Sequence, residues 1–454
     1  MNPIKIAGFK AYDLRGRIPD ELNEDVAYRI GRAYAEFLKP KKVIVGRDIR
    51  LSSEELCKAL EQGLLDSGVD VYDIGLCGTE VVYYATFARE MDGGIMVTAS
   101  HNPPDYNGMK FVREGSRPIS GDSGLAEIRA LAEAGRFTPP ARVGERYAVD
   151  IMPDYIEHLL SYVDRAKLAP LKVVVHAGNG GAGLIVDRLE PYLPFEFIKV
   201  DHEPDGTFPN GVPNPMLIEN HKAPVEALRK HGADLAISWD GDYDRCFLFD
   251  EHGGFIEGYY IVGLLASVFL AREAGGRVVH DPRLTWNTLD IVKVAGGQAV
   301  QSKSGHAFMK QVMRDVDGVY GGEMSAHHYF REFSYCDSGM IPWLVVTQLM
   351  SDTGKSLSQL VGERMRLFPA SGEINRRVPD VQGTIAAVLA QYQPTALSVD
   401  RTDGVSVEFD RWRFNLRGSN TEPLIRLNVE SRGDEILMRE KTAELLALIG
   451  GNPG

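Results

Sequence analysis

Short β-branched runs alternate along most of this chain with longer segments whose apolar positions recur at helical spacing. Lys42-Val43-Ile44-Val45-Gly46 reads as a buried strand, residues 52–66 as an amphipathic helix with Ser53 as its candidate cap, and residues 69–74 and 94–97 as further strands. Such alternation predicts an α/β fold with largely parallel sheets. Three segments repeat the arrangement loosely. The run Val43-Ile44-Val45 leads to Gly46-Arg47-Asp48, and Ile95-Met96-Val97 leads to Thr98-Ala99-Ser100-His101. In the second copy Val173-Val174-Val175 leads to His176-Ala177-Gly178-Asn179-Gly180, and Leu235-Ala236-Ile237 leads to Trp239-Asp240-Gly241-Asp242. In the third, Val278-Val279 leads to His280-Asp281-Pro282-Arg283, and Val319-Tyr320 leads to Gly321-Gly322-Glu323-Met324-Ser325. Each copy ends its second strand in a polar loop, and loops at the carboxyl ends of strands are where open α/β sheets take ligands.

From about residue 371 the pattern changes. Strands over 404–409 and 413–416 surround a loop at 417–423, and a helical tail spans 434–449. We therefore expect three similar α/β domains (1–145, 146–250 and 251–369) and a smaller α+β domain (370–454), arranged around a cleft suited to a small molecule.

Composition narrows the ligand. Fifty Lys and Arg against 63 Asp and Glu give a net charge of −13. Nucleic acid is a poor partner for such a chain, as is an anionic membrane, and any anionic ligand must meet a local basic pocket. No run of apolar residues is long enough for a membrane span. Residues 1–14 lack the pattern of a secretory signal. Cys57, Cys77, Cys246 and Cys336 are widely separated, which predicts free thiols and fits a reducing cytoplasm.

Four loops carry chemistry. Asp240-Gly241-Asp242-Tyr243-Asp244-Arg245 sets three carboxylates at alternating positions after an apolar run. Clustered carboxylates repel unless a cation sits among them, and hard oxygen ligands suit Mg2+. Gly241 is expected to let the backbone turn around the ion, and Arg245 suits a phosphate that bridges to it. Thr98-Ala99-Ser100-His101-Asn102-Pro103-Pro104 puts Ser100 on what reads as a rigid, exposed turn, a place for a nucleophile, with His101 or Lys110 to move its proton. Without a G-x-S-x-G elbow, acyl transfer is disfavoured. In Gly322-Glu323-Met324-Ser325-Ala326-His327-His328, Glu323 and Ser325 alternate, so an extended loop would aim both at vicinal sugar hydroxyls. The adjacent histidines would face opposite ways, which argues against a joint zinc site. Arg417-Gly418-Ser419-Asn420-Thr421-Glu422-Pro423 combines a guanidinium with neutral donors, the composition of a phosphate cradle. Tyr12, Arg15, Arg283 and His306 fall near strand ends.

Together these loops, in this order and spread over the whole chain, resemble the α-D-phosphohexomutase family. Ser-His-Asn-Pro is similar to its phosphoserine loop, Asp-Gly-Asp-x-Asp-Arg to its magnesium loop, Gly-Glu-Met-Ser to its sugar-binding loop and Arg-x-Ser-Asn-Thr-x-Pro to its phosphate-binding loop. Ala11-Tyr12-Asp13-Leu14-Arg15-Gly16 and the stretch 322–343 resemble the bacterial phosphomannomutase/phosphoglucomutase branch. The resemblance implies a phosphate on Ser100 and magnesium on Asp240, Asp242, Asp244 and an oxygen of that phosphate. It implies sugar contacts from Glu323, Ser325 and His327, and a grip on the idle phosphate by Arg417, Ser419, Asn420 and Thr421. Tyr12, Arg15, His101, Lys110, Arg245, Arg283 and His306 would line the same cleft, the acid and base among them left open. The implied reaction interconverts mannose 6-phosphate and mannose 1-phosphate through a hexose 1,6-bisphosphate, which also serves as activator and turns end for end while the last domain opens. GDP-mannose synthesis would be the outlet. The implied partner is a hexose phosphate, with the chain a monomer or weak homo-oligomer. Dual activity on glucose phosphates is the alternative, since glucose and mannose differ only at C2. From another class, a D-x-D glycosyltransferase would need no phosphoserine.

Overall fold

The structure is a computed structural model that describes residues 1–419 and 424–453. It divides into two compact units. The first comprises Met1–Phe255 with Phe330–Gly354, and the second Ile256–Tyr329 with Lys355–Gly454.

The first unit is built on two sheets. In the larger, Lys42–Arg47 lies at the centre, parallel to both Asp70–Leu76 and Gly93–Val97. Val43, Val45, Val71, Ile95 and Val97 pack under the helices Glu24–Leu38 and Ser53–Leu65, which supply Ile30, Tyr34, Leu56, Leu60 and Leu64 to the same core. The strand Tyr106–Arg113 then runs antiparallel to Gly93–Val97, opposing Met96 to Lys110 and Val97 to Met109. This return strand was absent from the sequence reading. It brings Lys110 back beside the loop that follows Val97. Ser53 does not cap its helix. Ser52 occupies the cap position, and the Ser53 hydroxyl donates instead to the Asp48 carboxylate.

In the second sheet Lys172–His176 lies between Glu196–Val200 and Leu235–Trp239, all parallel. Cys246–Phe249 folds back antiparallel on Leu235–Trp239, pairing Trp239 with Cys246. The acidic loop 240–245 is therefore the tip of a hairpin rather than a strand-to-helix crossover.

The second unit carries a parallel arrangement of Gln298–Gln301, Arg277–His280 and Tyr320–Gly322. Its other sheet is antiparallel, with Trp412–Gly418 between Val405–Glu408 and Leu424–Ser431, and Ile374–Arg377 beyond. Phe414, Leu416, Leu427 and Val429 close a core against Val388 and Leu445 of the covering helices. Asp434 caps the last helix, Glu435–Ile449, by accepting from the Leu437 N–H at 2.9 Å. All four cysteines are buried free thiols. Among the described residues no helix is long and apolar enough to cross a membrane.

Candidate functional site

In the first unit the serine loop and the acidic hairpin meet. Ser100 follows the strand Gly93–Val97 and adopts a left-handed backbone, φ 49°. A residue other than glycine holds that conformation at a cost of about 1–3 kcal/mol unless its surroundings fix it. Here the Ser100 N–H donates to the Thr98 hydroxyl at 2.9 Å, and its carbonyl accepts from Arg50 at 2.9 Å. The result corrects the exposed turn expected from sequence: Ser100 is 1% exposed. Its hydroxyl donates to Asp240 Oδ2 at 2.7 Å and lies 3.0 Å from His101 Nδ1.

Gly241 is required for a reason other than turning. A Cβ there would sit 2.4 Å from the Ser100 carbonyl oxygen, so only glycine lets the two loops touch. The left-handed residue of the hairpin is Tyr243, at φ 47°. Its buried hydroxyl accepts from the Gly78 N–H at 2.6 Å, and the Thr79 hydroxyl donates to Asp242.

Asp240, Asp242 and Asp244 are all buried, and each offers a carboxylate oxygen within 4.8 Å of the others. Lys110 Nζ donates to Asp242 at 2.7 Å and to Asp244 at 2.6 Å. Burial pushes the Asp242 carboxyl up, but the Lys110 ammonium outweighs it and holds the group well below the usual carboxylate range. Burial and the repulsion of Asp242 instead push Asp240 up. Oδ1 of Asp240 and of Asp242 is buried with no hydrogen-bond partner among the described residues. Orphaned acceptors in such a nest are costly, and a small divalent cation with oxygen ligands fits them. Arg245 Nε stands 3.5 Å from Asp240. Arg15 is oriented by Asp13 at 2.8 Å and donates to Asn102. Burial, with the guanidiniums of Arg245 and Arg15, lowers His101 well below its ordinary pKa, so the imidazole beside Ser100 is neutral.

The second unit gathers a different set. Glu323, Met324, Ser325 and Ala326 form a tight turn, closed by the Ala326 N–H on the Glu323 carbonyl at 3.0 Å, and not the extended loop expected. Glu323 and Ser325 still converge, because Arg283 Nη2 lies 3.5 Å from Glu323 and donates to the Ser325 hydroxyl at 3.2 Å. Glu323 also accepts from the Gly305 N–H at 2.7 Å and Tyr329 at 2.6 Å. His327 Nδ1 lies 3.4 Å from Glu323, and its ring is 6.5 Å from that of His306. His328 turns elsewhere, to Tyr320 at 2.7 Å. Burial would raise the Glu323 carboxyl, but its bond with His327 and the Arg283 charge prevail and hold it well below its usual range. Arg417 is the next-to-last residue of the strand Trp412–Gly418 and pairs with Glu373 at 3.1 Å. The Ser419 N–H donates to the Leu424 carbonyl at 2.8 Å. Asn420 and Thr421 lie outside the described residues. Tyr12 is half-buried, two residues before the strand Leu14–Arg17.

Comparison with known proteins then identifies the whole chain. Family models for the phosphoglucomutase/phosphomannomutase α/β/α domains I, II and III match residues 7–139, 153–254 and 257–368, and the model for the C-terminal domain matches 373–447. The chain belongs to the phosphoglucomutase/phosphomannomutase family. A phosphomannomutase of Escherichia coli is 58% identical over 449 residues, which span 97% of this chain and 98% of that protein. A Xanthomonas campestris pv. campestris protein named for phosphohexose mutases is also 58% identical, over 98% of this chain and 100% of its own. Among solved structures, a phosphoglucomutase/phosphomannomutase family protein from Burkholderia thailandensis superimposes with a TM-score of 0.89 at 31% identity, covering 99% of each chain. As a phosphohexomutase the chain is an isomerase.

Arg50 in the first unit, and Arg413 with Glu430 in the second, order loops that hold candidate residues yet carried no recognisable motif. Arg50 is 3% exposed and donates to the carbonyls of Ser100, Asn102, Pro103 and Tyr106, the last two at 2.7 and 2.9 Å. Phe208 lies under its guanidinium, 5.2 Å away. Arg413 donates to the carbonyls of Arg283 and Pro282 at 3.0 and 2.9 Å, with Glu430 as its counterion at 2.7 Å. For Arg50, the turn after a central strand was a usable signal. For Arg413 and Glu430, set within strands, there was none.

Proposed function

We propose that this chain is a phosphomannomutase that moves a phosphoryl group between O6 and O1 of mannose. The observation that carries the reading is the Ser100 hydroxyl, held at 2.7 Å on Asp240 beside two further buried carboxylates. A lone serine on a turn needs no such partner. A serine that carries a phosphate beside a divalent cation does.

In this reading phospho-Ser100 is the resting donor, and Asp240, Asp242, Asp244 and one phosphate oxygen hold magnesium. When bound, the ion supplies positive charge next to oxygens that gain charge in a loose phosphoryl-transfer transition state. Arg245 and Arg15 flank the same position. The substrate hydroxyl attacks phosphorus, the Ser100 Oγ–P bond breaks, and the hydroxyl proton goes to the neutral imidazole of His101, while the cationic Lys110 and Arg15 place positive charge beside the transferring phosphoryl group. Glu323, Ser325 and His327 grip sugar hydroxyls, and Arg283 and His306 complete their surroundings; Tyr12 is a further substrate-binding candidate. Arg417 and Ser419 hold the phosphate that is not reacting, with Asn420 and Thr421. The hexose 1,6-bisphosphate so formed turns end for end and returns its other phosphate to Ser100. Free bisphosphate then serves as activator, rephosphorylating Ser100 after any escape. A cytoplasmic enzyme feeding GDP-mannose synthesis, working as a monomer or weak homo-oligomer, completes the reading.

The preference for mannose rests on the relatives at 58% identity that bear the name phosphomannomutase. One hydroxyl contact is worth about 1 kcal/mol net, or roughly fivefold to tenfold in rate. Initial rates on mannose 1-phosphate and glucose 1-phosphate, with magnesium and a trace of glucose 1,6-bisphosphate, test the proposal. A clear preference for the mannose ester is expected. Equal rates would make the enzyme dual in specificity, and no rate on either would overturn the mutase reading.

A further inference from the structure

Three guanidiniums of the second unit converge on one carboxylate. Glu373 immediately precedes the strand Ile374–Arg377, which lies between Leu424–Ser431 and Asn452–Pro453 in the antiparallel sheet. Its Oε1 is 2.8 Å from Arg426 Nη1, and its Oε2 is 3.1 Å from Arg417 Nη2 and 3.5 Å from Arg283 Nη1. Arg417 and Arg426 are direct cross-strand partners in the pairing of Trp412–Gly418 with Leu424–Ser431. Two like charges set opposite one another on a sheet repel, and Glu373 is the charge that makes the pair tolerable. The carboxylate is nearly buried, 5% exposed, and burial is overcome by Arg283 and Arg426 so that it stays ionised. Meanwhile Nε of Arg417 and of Arg426 is buried with no hydrogen-bond partner among the described residues. The guanidiniums thus hold donors in reserve while their ends are already engaged.

We propose that Glu373 is a positioning residue that occupies the seat of the substrate's idle phosphate in the resting enzyme, ordering Arg417, Arg426 and Arg283 and competing with phosphate for them. The inference rests on the mutase reading and deepens it. Arg283 has further counterions in Asp281 and Glu323, but Arg417 and Arg426 share only Glu373 among the described ion pairs. A bisphosphate that must turn end for end cannot be gripped at one end by that pair unopposed, because such a seat would release it too slowly. A resident carboxylate lowers the charge of the Arg417–Arg426 pair from +2 to +1 without removing a single donor. When a phosphate leaves, Glu373 takes back the Nη groups, so the arginines are neither left repelling one another nor free to reorient. The carboxylate would hold the seat ordered and make it leaky enough for the intermediate to rotate.

The test is Glu373→Gln, which keeps shape and one acceptor and removes the charge. Inorganic phosphate, titrated into the variant by calorimetry and used as an inhibitor of mutase turnover, is expected to bind about tenfold more tightly, the scale of one charge contact at a partly desolvated site. KM for mannose 1-phosphate and kcat should fall together, since tighter holding slows rotation. Damage to the fold would do the opposite, weakening phosphate and raising KM. Phosphate binding that is unchanged or weaker in Glu373→Gln overturns the proposal. If the glutamine variant fails to fold, Glu373→Asp carries the test. It draws the carboxylate back by one methylene, and phosphate binding should tighten about twofold, a fraction of the full charge contact. Unchanged binding there also overturns the idea. Calorimetry with phosphate needs no turnover, so failure of the mutase reading would show separately, as a wild-type enzyme with no rate on hexose phosphates.

Discussion

Ser100 and Arg50 make the chemistry at the scale of single residues concrete. Ser100 sits in a strained, buried conformation with its hydroxyl on Asp240. Ser100→Ala should abolish turnover while leaving the fold and the acidic nest intact. Loss of the added phosphate in intact mass, together with unchanged far-UV circular dichroism, checks this, and near-wild-type activity would refute the phosphoserine role. Arg50 donates to four backbone carbonyls of residues 100–106, which it holds in one shape, with Asp48 beside its guanidinium at 3.4 Å and Phe208 under it. A lysine cannot reproduce that planar fork. Arg50→Lys should lower kcat about 10- to 100-fold with little change in KM, since a displacement of about 1 Å in a reacting group costs that much. A variant that loses only thermal stability would reduce Arg50 to a structural role. The identities of Ser100, Asp240, Glu323 and Arg417 were legible in sequence because each stands in a compact run of chemically unusual neighbours. Arg50 and Glu373 were not, because their partners come from distant parts of the chain.

At the scale of elements, hairpins and helix starts set the geometry. The acidic loop is a hairpin tip, so its three carboxylates are held by strand pairing on both sides. The helix Thr79–Ala88 begins against it, and its Glu80 is fully buried. Glu80 accepts from Tyr155, from Ser338 at 2.8 Å and from the Gly339 N–H at 2.6 Å, while the Gly339 carbonyl accepts from Trp239 Nε1 at 2.9 Å. One carboxylate thereby ties the starts of two helices to the strand that leads into the acidic loop. Burial pushes its pKa up to about 8 from 4.5, against the pull of those donors. The folded state then retains a proton that the unfolded chain gives up. This contribution is full below about pH 4.5 and is lost as pH rises through about 8. Melting temperature should therefore fall between pH 5 and about 8 in the wild type, and the slope should flatten in Glu80→Gln. Parallel slopes in the two proteins would exclude Glu80 as the titrating group. Alternating strands and helices were evident from the spacing of apolar residues. The return strand Tyr106–Arg113 was not, since the turn-forming Asn107-Gly108 stand near its start and Val112 is its only β-branched residue.

Across the whole molecule the net charge of −13 is answered locally. The first unit concentrates carboxylates around one lysine, and the second concentrates guanidiniums around single carboxylates. Chelation of divalent cations should abolish turnover and added magnesium should restore it. Magnesium should also raise the melting temperature of the wild type but not of Asp240→Asn, because ligand binding to the native state alone is stabilising. A chelated enzyme that keeps its rate would exclude a metal role for the acidic nest. Family membership over essentially the full chain makes the enzyme class secure.

The sequence alone determined the α/β class, the four chemical loops and their order, because those depend on local periodicity and on short runs of reactive residues. Only the tertiary structure decided how the loops are held. Glu323 and Ser325 meet at Arg283 through a tight turn and not an extended one. Ser100 is buried, Gly241 is demanded by contact with the Ser100 carbonyl, and Lys110 reaches the carboxylates by strand return. Arg50, Arg413 and Glu373 gain their roles from partners tens to hundreds of residues away. Buried charge is tolerated only where the fold supplies an opposite charge or a donor, and that pairing is a property of space rather than of spacing along the chain.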